Sequence, residues 1–139
     1  LGGKPLILLD THSLIWLDQA DPAMGSIARS TADQALQSGR LAVSAMSFWE
    51  VAMLLAKGRL GIRAAPVPWR RDLLKHWGLL EYSVTGEIAL AAVELRSFHA
   101  DPIDRLIVAT AQDCGARLVT ADRQILAWPG RLDRQDARV

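Results

Sequence analysis

Short aliphatic runs, separated by longer segments with helical spacing, constrain this chain more than any other feature of it. Pro5-Leu9 and Leu41-Val43 show no polar alternation, so they predict strands covered on both faces. Leu118-Thr120 closes a third such run, and Leu79-Val84 gives a further strand. Between them lie helices. Leu14, Ile15 and Leu17 with Trp16 make a short one, broken near Asp21-Pro22, and a second runs from a Ser26 cap through about Gln37 to a stop at Gly39. Ser44-Lys57 has no Gly or Pro, and Met46, Trp49, Met53, Leu54 and Ala56 fall at helical spacings before Gly58. Gly61, Pro66 and Pro68 punctuate the next stretch, with a short helix over Trp69-Trp77. Thr85 opens a helix through about Arg96, Asp101-Pro102 caps a long one that ends at Gly115, and a short helix follows Asp122. Strands alternating with helices predict an α/β fold, a mostly parallel sheet with helices on both faces.

The 139 residues, half of them apolar, suit one domain, expected over residues 5–139 after a flexible leader at Leu1-Lys4. Arg131-Val139 reads either as a short edge strand around Leu132 or as a frayed end. Cys114 is the single cysteine, which excludes an internal disulfide and a multi-thiolate zinc site and fits a reducing cytoplasm. No run approaches the roughly 20 apolar residues that span a bilayer, so no membrane partner is expected. A net charge of +1 leaves any attraction to nucleic acid to a local cluster. The densest is Lys57, Arg59, Arg63, Arg70, Arg71 and Lys75, with Trp69 and Trp77 free to stack on bases; a solvated basic face explains it equally well.

Four acids stand where acids are costly. Asp10 directly follows its aliphatic run and Asp122 follows Leu118-Thr120, which places both at carboxyl ends of strands, where open α/β sheets hold ligands. Glu50 shares a helical stripe with Met46, Met53 and Leu54, and Asp104 shares one with Ile107, Val108 and Ala111. Each has a plainer reading: a turn former at Asp10, an amphipathic edge at Glu50, helix caps at Asp122 and in the Asp101-Asp104 pair. If they meet, carboxylates gathered away from water must hold protons or bind a cation, and oxygen donors suit Mg²⁺ or Mn²⁺. Such an ion polarises a phosphoryl oxygen and activates water, which makes phosphodiester hydrolysis the natural chemistry.

Leu8-Leu9-Asp10-Thr11-His12, Ser44-Ala-Met-Ser47-Phe-Trp-Glu50, His99-Ala-Asp101-Pro102-Ile-Asp104-Arg105 and Leu118-Val-Thr120-Ala-Asp122 resemble the successive motifs of the PIN-domain family, in that family's order. Ser13 to Trp16 and the block ending at Glu50 are most similar to its VapC toxins. The resemblance implies a three-layer α/β/α fold and a Mg²⁺- or Mn²⁺-dependent endoribonuclease that is dimeric and inhibited by a cognate antitoxin. It implies a metal-binding quartet of Asp10, Glu50, Asp104 and Asp122, with Thr11 and Thr120 supporting bound water or the neighbouring acids. Two other readings stand beside it: a phosphotransferase or phosphatase with Asp10 as nucleophile, though His12 stands where that class carries a second Asp, and a non-catalytic RNA- or protein-binding module.

His12, His76 and His99 match no His-ligand spacing and are read as structural, with His99 bracing the loop before Asp104. Cys114 reads as a small core residue. Trp16 and Trp49 read as core or dimer-interface residues, and Arg105 as a phosphate-positioning group or ion-pair partner.

Overall fold

The computed structural model describes residues 3–61 and 65–139; the expected leader falls partly, and Arg63 of the basic stretch wholly, outside them. Five strands form one sheet in the order β3-β2-β1-β4-β5. They are β1 (Ile7–Leu9), β2 (Leu41–Ser44), β3 (Leu80–Tyr82), β4 (Arg117–Thr120) and β5 (Arg134–Asp136), and every pairing is parallel. The helices are α1 (Thr11–Asp18), α2 (Ser26–Gln37), α3 (Ala45–Ala56), α4 (Pro66–Asp72), α5 (Gly86–Glu94), α6 (Pro102–Cys114) and α7 (Arg123–Ala127), and a π-helical turn over Leu73–Trp77 extends α4.

Alternation along each strand builds two cores. Ile7, Leu9, Leu41, Val43 and Val119 face one side, against Leu14 of α1, Ala28 and Ala32 of α2 and Leu73 of the π turn. Leu8, Ala42 and Leu118 face the other, against Ile107 and Val108 of α6 and Ile125 of α7. Burial of both faces explains why these strands carry no polar alternation, and it confirms the three-layer arrangement. Since all five strands run the same way, their carboxyl ends share one rim. The order reverses between β1 and β4, so the crevice of the fold opens there.

Several expectations are corrected. Helix α2 is capped by Gly25 with no side-chain bond, so Ser26 is its first residue and not its cap. Helix α4 begins at Pro66, three residues before Trp69, because proline suits a first helical turn. The last strand lies at Arg134–Asp136, beyond Leu132, whose side chain packs into the second core instead. Trp69 and Trp77 are not free: both pack against the first core, and Trp69 meets the Phe48 ring edge-on and donates to Asp18. Trp49 is 53% exposed, which rules out its core reading.

Arg105 is the sharpest of these corrections. It makes no ion pair among the described residues; its guanidinium donates to four backbone carbonyls, those of Ala92, Leu95, Phe98 and His99. Those carbonyls end α5 and line the loop into α6, and one fixed fork satisfies them all. Arg105→Ala is therefore expected to cost about 3 kcal/mol of stability by urea unfolding, as bonds from a charged donor to part-buried acceptors are lost. A cost under about 0.5 kcal/mol would show that water replaces the fork.

Candidate active site

Each acid reaches the rim by a local device. Asp10 follows β1 and caps α1, its Oδ1 accepting from the Ser13 amide at 2.9 Å. Its Oδ2 accepts from Thr120 Oγ1, and Thr120 Oγ1 in turn accepts from the Asp122 amide at 3.0 Å. Thr120 thus ties two acids of adjacent strands to each other. Asp122 caps α7, with Oδ1 accepting from Gln124 and Ile125. Asp101 caps α6 in the same way and accepts from Ile103 and Asp104, so the Asp104 side chain is left to face the crevice.

Glu50 arrives differently from expectation. The fully buried residues of α3 are Ser47 and Val51, while Met46, Met53 and Leu54 are half-buried, so Glu50 stands at the edge of the packed face. Thr11 Oγ1 donates to Ser47 at 3.1 Å, locking α1 to α3 one turn before Glu50. Thr11 therefore acts on the placement of α3, and Ser47 is a supporting residue that sequence reasoning passed over.

The four acids come together. Asp10, Glu50, Asp104 and Asp122 line one cleft of about 340 Å³ with Asp101, Thr11, His12, Trp16, Ala121 and Arg138. Burial, then the charges of Asp101, Asp122, Asp10 and Glu50, push the Asp104 carboxyl up to about 8. Asp10 is also raised by burial, against the lowering effect of its hydrogen bonds. With both carboxylate oxygens engaged by Ser13 and Thr120, Asp10 is poorly presented as a nucleophile, which weakens the phosphatase reading.

His99 belongs to this site as well. Its Nδ1 accepts from the Asp101 amide at 3.4 Å, the expected loop brace. Its Nε2 lies 3.3 Å from Asp104 and 3.9 Å from Asp122. That nitrogen is buried without a hydrogen-bond partner. Ligand atoms of His99, Asp104 and Asp122 all fall within 4.8 Å of one another. Carboxylates that repel one another around a buried, unpartnered imidazole nitrogen form a cluster that a divalent cation satisfies. The residues therefore fit a metal ion. Among the described residues the ligand cluster includes neither His76, which pairs with Asp72 on the outside, nor His12, which lies on the cleft wall.

The basic stretch contributes less than expected. Arg70 is spent in a two-pronged pair with Glu81, whose carboxyl it holds below the usual range. Cys114 is half-buried and burial raises its thiol, in keeping with a packing role.

A parallel sheet with acids gathered at its switch point defines a nuclease-like α/β domain, and the comparisons agree. The PIN domain family model matches residues 7–129, and the chain belongs to that family. Ribonuclease VapC22 of Mycobacterium tuberculosis is 38% identical over 120 residues, covering 86% of this chain and 88% of that protein. The fold is shared with VapBC2 from Rickettsia felis bound to a promoter DNA fragment, at a TM-score of 0.68 and 15% identity over 93% of this chain and 96% of that one. It is shared too with a toxin-antitoxin complex from Klebsiella pneumoniae, at a TM-score of 0.60 and 21% identity over 94% and 97% of the two chains.

Proposed function

We propose that residues 5–139 act as one metal-dependent endoribonuclease domain, the toxin of a toxin–antitoxin pair, hydrolysing RNA phosphodiester bonds in the cytoplasm. The observation that carries this reading is the convergence of four carboxylates from four separate segments on one cleft, where burial and the neighbouring acids push Asp104 up to about 8. Similarity to a protein named as a ribonuclease supports RNA as the substrate. Among the described residues no helix is long and apolar enough to cross a membrane.

Asp10, Glu50, Asp104 and Asp122, which line the one cleft, would hold Mg²⁺ or Mn²⁺, with Asp104 and Asp122 the closest pair beside His99. A bound divalent ion supplies Lewis-acid polarisation of the phosphoryl oxygen and a more acidic water. The protein's own contribution is placement. Thr120 holds Asp10 and Asp122 in fixed relation, Thr11 and Ser47 set the helix that carries Glu50, and Arg105 pins the His99 loop. Asp104, with its carboxyl pushed up to about 8, gives up its proton near neutral pH when an ion binds.

The toxin reading adds two partners: an antitoxin that covers the cleft, and a second copy of the chain. Exposed Trp49 suits the dimer surface better than Trp16, which lines the cleft. Incubation with RNA is expected to give cleavage in Mn²⁺ or Mg²⁺ that stops with excess EDTA and resumes when the ion is restored. RNA left whole in every divalent ion would sink the enzymatic reading and favour the binding module.

A further inference from the structure

The cleft poses a problem for its own substrate: five carboxylates line it, and an RNA backbone is a chain of negative charges. Of the cations nominated by the sequence, Arg105 is turned onto backbone carbonyls, Arg70 is paired with Glu81, and none among the described residues lines the cleft. Arg138 is the one arginine among the residues lining the cleft.

Arg138 is held there by three devices. The flanking backbone is tied on both sides, with Ala137 N–H donating to the Thr120 carbonyl at 2.8 Å and the Gly25 and Ile27 amides donating to the carbonyls of Ala137 and Val139. Gly25 permits this close approach, because a Cβ there would sit 2.2 Å from the Val139 carbonyl carbon. The guanidinium lies 5.7 Å from the centre of the Trp16 ring, and Nη1 donates to the Ala121 carbonyl at 2.5 Å. That bond uses one of five donors, and Arg138 forms no ion pair with the acids among the described residues. A guanidinium aimed by an aromatic plate and a carbonyl, with donors to spare at the mouth of an acid cleft, is built to take a phosphate.

We propose that Arg138, backed by Trp16 and Ala121, is the residue that grips an RNA backbone phosphate at the cleft mouth and so positions the strand over the acids. This rests on the nuclease reading for the identity of the strand, and its test is separable from cleavage. Arg138 is a positioning residue.

The test titrates a labelled single-stranded oligoribonucleotide into the Ca²⁺-loaded protein by fluorescence anisotropy, at several salt concentrations. Arg138→Ala is expected to weaken binding about tenfold and to reduce the slope of log Kd against log salt by about 0.7, the share of one phosphate. Arg138→Lys should restore the slope but only part of the affinity, since it keeps the charge and loses the fork. Gly25→Ala, which displaces the Arg138 segment without touching the cleft, should reproduce the alanine result in protein whose melting shows it is folded. Equal affinity and equal slope in parent and Arg138→Ala, or a parent that binds no RNA, overturns the assignment. Arg138-dependent binding without cleavage in Mn²⁺ upholds it and sinks the nuclease reading instead.

Discussion

Asp104→Asn is expected to slow RNA cleavage by about a thousandfold or more while raising the melting temperature of the ion-free protein above about pH 8. The two effects have one cause. Asp104 is buried and crowded by the charges of Asp101, Asp122, Asp10 and Glu50, so its ionised form is held in place at a cost to the folded state. An amide of the same shape removes that charge and leaves the helix start intact, since the cap of α6 is Asp101 and uses the residue 104 backbone, not its side chain. The new amide keeps an oxygen able to accept from His99 Nε2, which carries the ring proton while Nδ1 accepts from the Asp101 amide. What is lost is the carboxylate nearest that nitrogen, and with it a donor for the cation. Cleavage rates and melting curves of parent and variant, taken with and without Mn²⁺, read both arms. Activity within about tenfold of the parent, or a lower melting temperature without ion, would separate the acid cluster from the chemistry.

Asp104→Asn is preferable to a change at Asp10 for a reason only the coordinates supply. Asp10 caps α1 and accepts from Thr120, so a variant there disturbs a helix start and the tie between β1 and β4 together.

What could be read beforehand, and what could not, divides along the distance over which information travels. Asp10 and Asp122 were legible because each follows an aliphatic run directly, and chain direction alone carries an acid from a parallel strand to the rim. Asp101-Pro102 was legible as a cap for the same local reason. Glu50 was placed on the right helix, yet its face was assigned to Met46 and Met53 when the buried stripe is Ser47 and Val51. A helix with apolar residues on several sides does not declare its inner face, and here a serine, Ser47, packs inward where Thr11 bonds to it.

The residues that escaped are those whose role is set by distant partners. His99 has no ligand spacing, because its metal-facing neighbours are Asp104 on α6 and Asp122 beyond β4. Arg105 reads from sequence as a phosphate-positioning group or ion-pair partner because its four acceptors are backbone carbonyls, which are invisible to side-chain patterns. Arg138 depends on the register of Arg134–Asp136 against β4, and three polar residues carry no periodicity from which to read a strand.

The second large effect concerns pH. In the ion-free protein, stability is expected to fall as pH rises toward 8, the reverse of ordinary acid denaturation. The folded state holds the Asp104 proton to about 8, whereas a carboxyl in the unfolded chain releases it near its ordinary value of 3.8. Between those values the native state binds more protons than the unfolded state. Its stabilisation from Asp104 is therefore complete below about 3.8, declines across the interval and is gone above about 8. Asp10, raised by burial, acts in the same direction. A divalent ion must displace that proton, so apparent affinity should gain about tenfold per pH unit up to the Asp104 value. Mn²⁺ calorimetry at about pH 6 and about pH 8 should then differ by roughly a hundredfold, with a larger ion-induced rise in melting temperature at the higher pH. In Asp104→Asn the affinity should be low at both values and the dependence shallow. Affinities in the parent that agree within about threefold would mean that Asp104 is already ionised at neutral pH, and that its neighbours do not crowd it as the geometry requires.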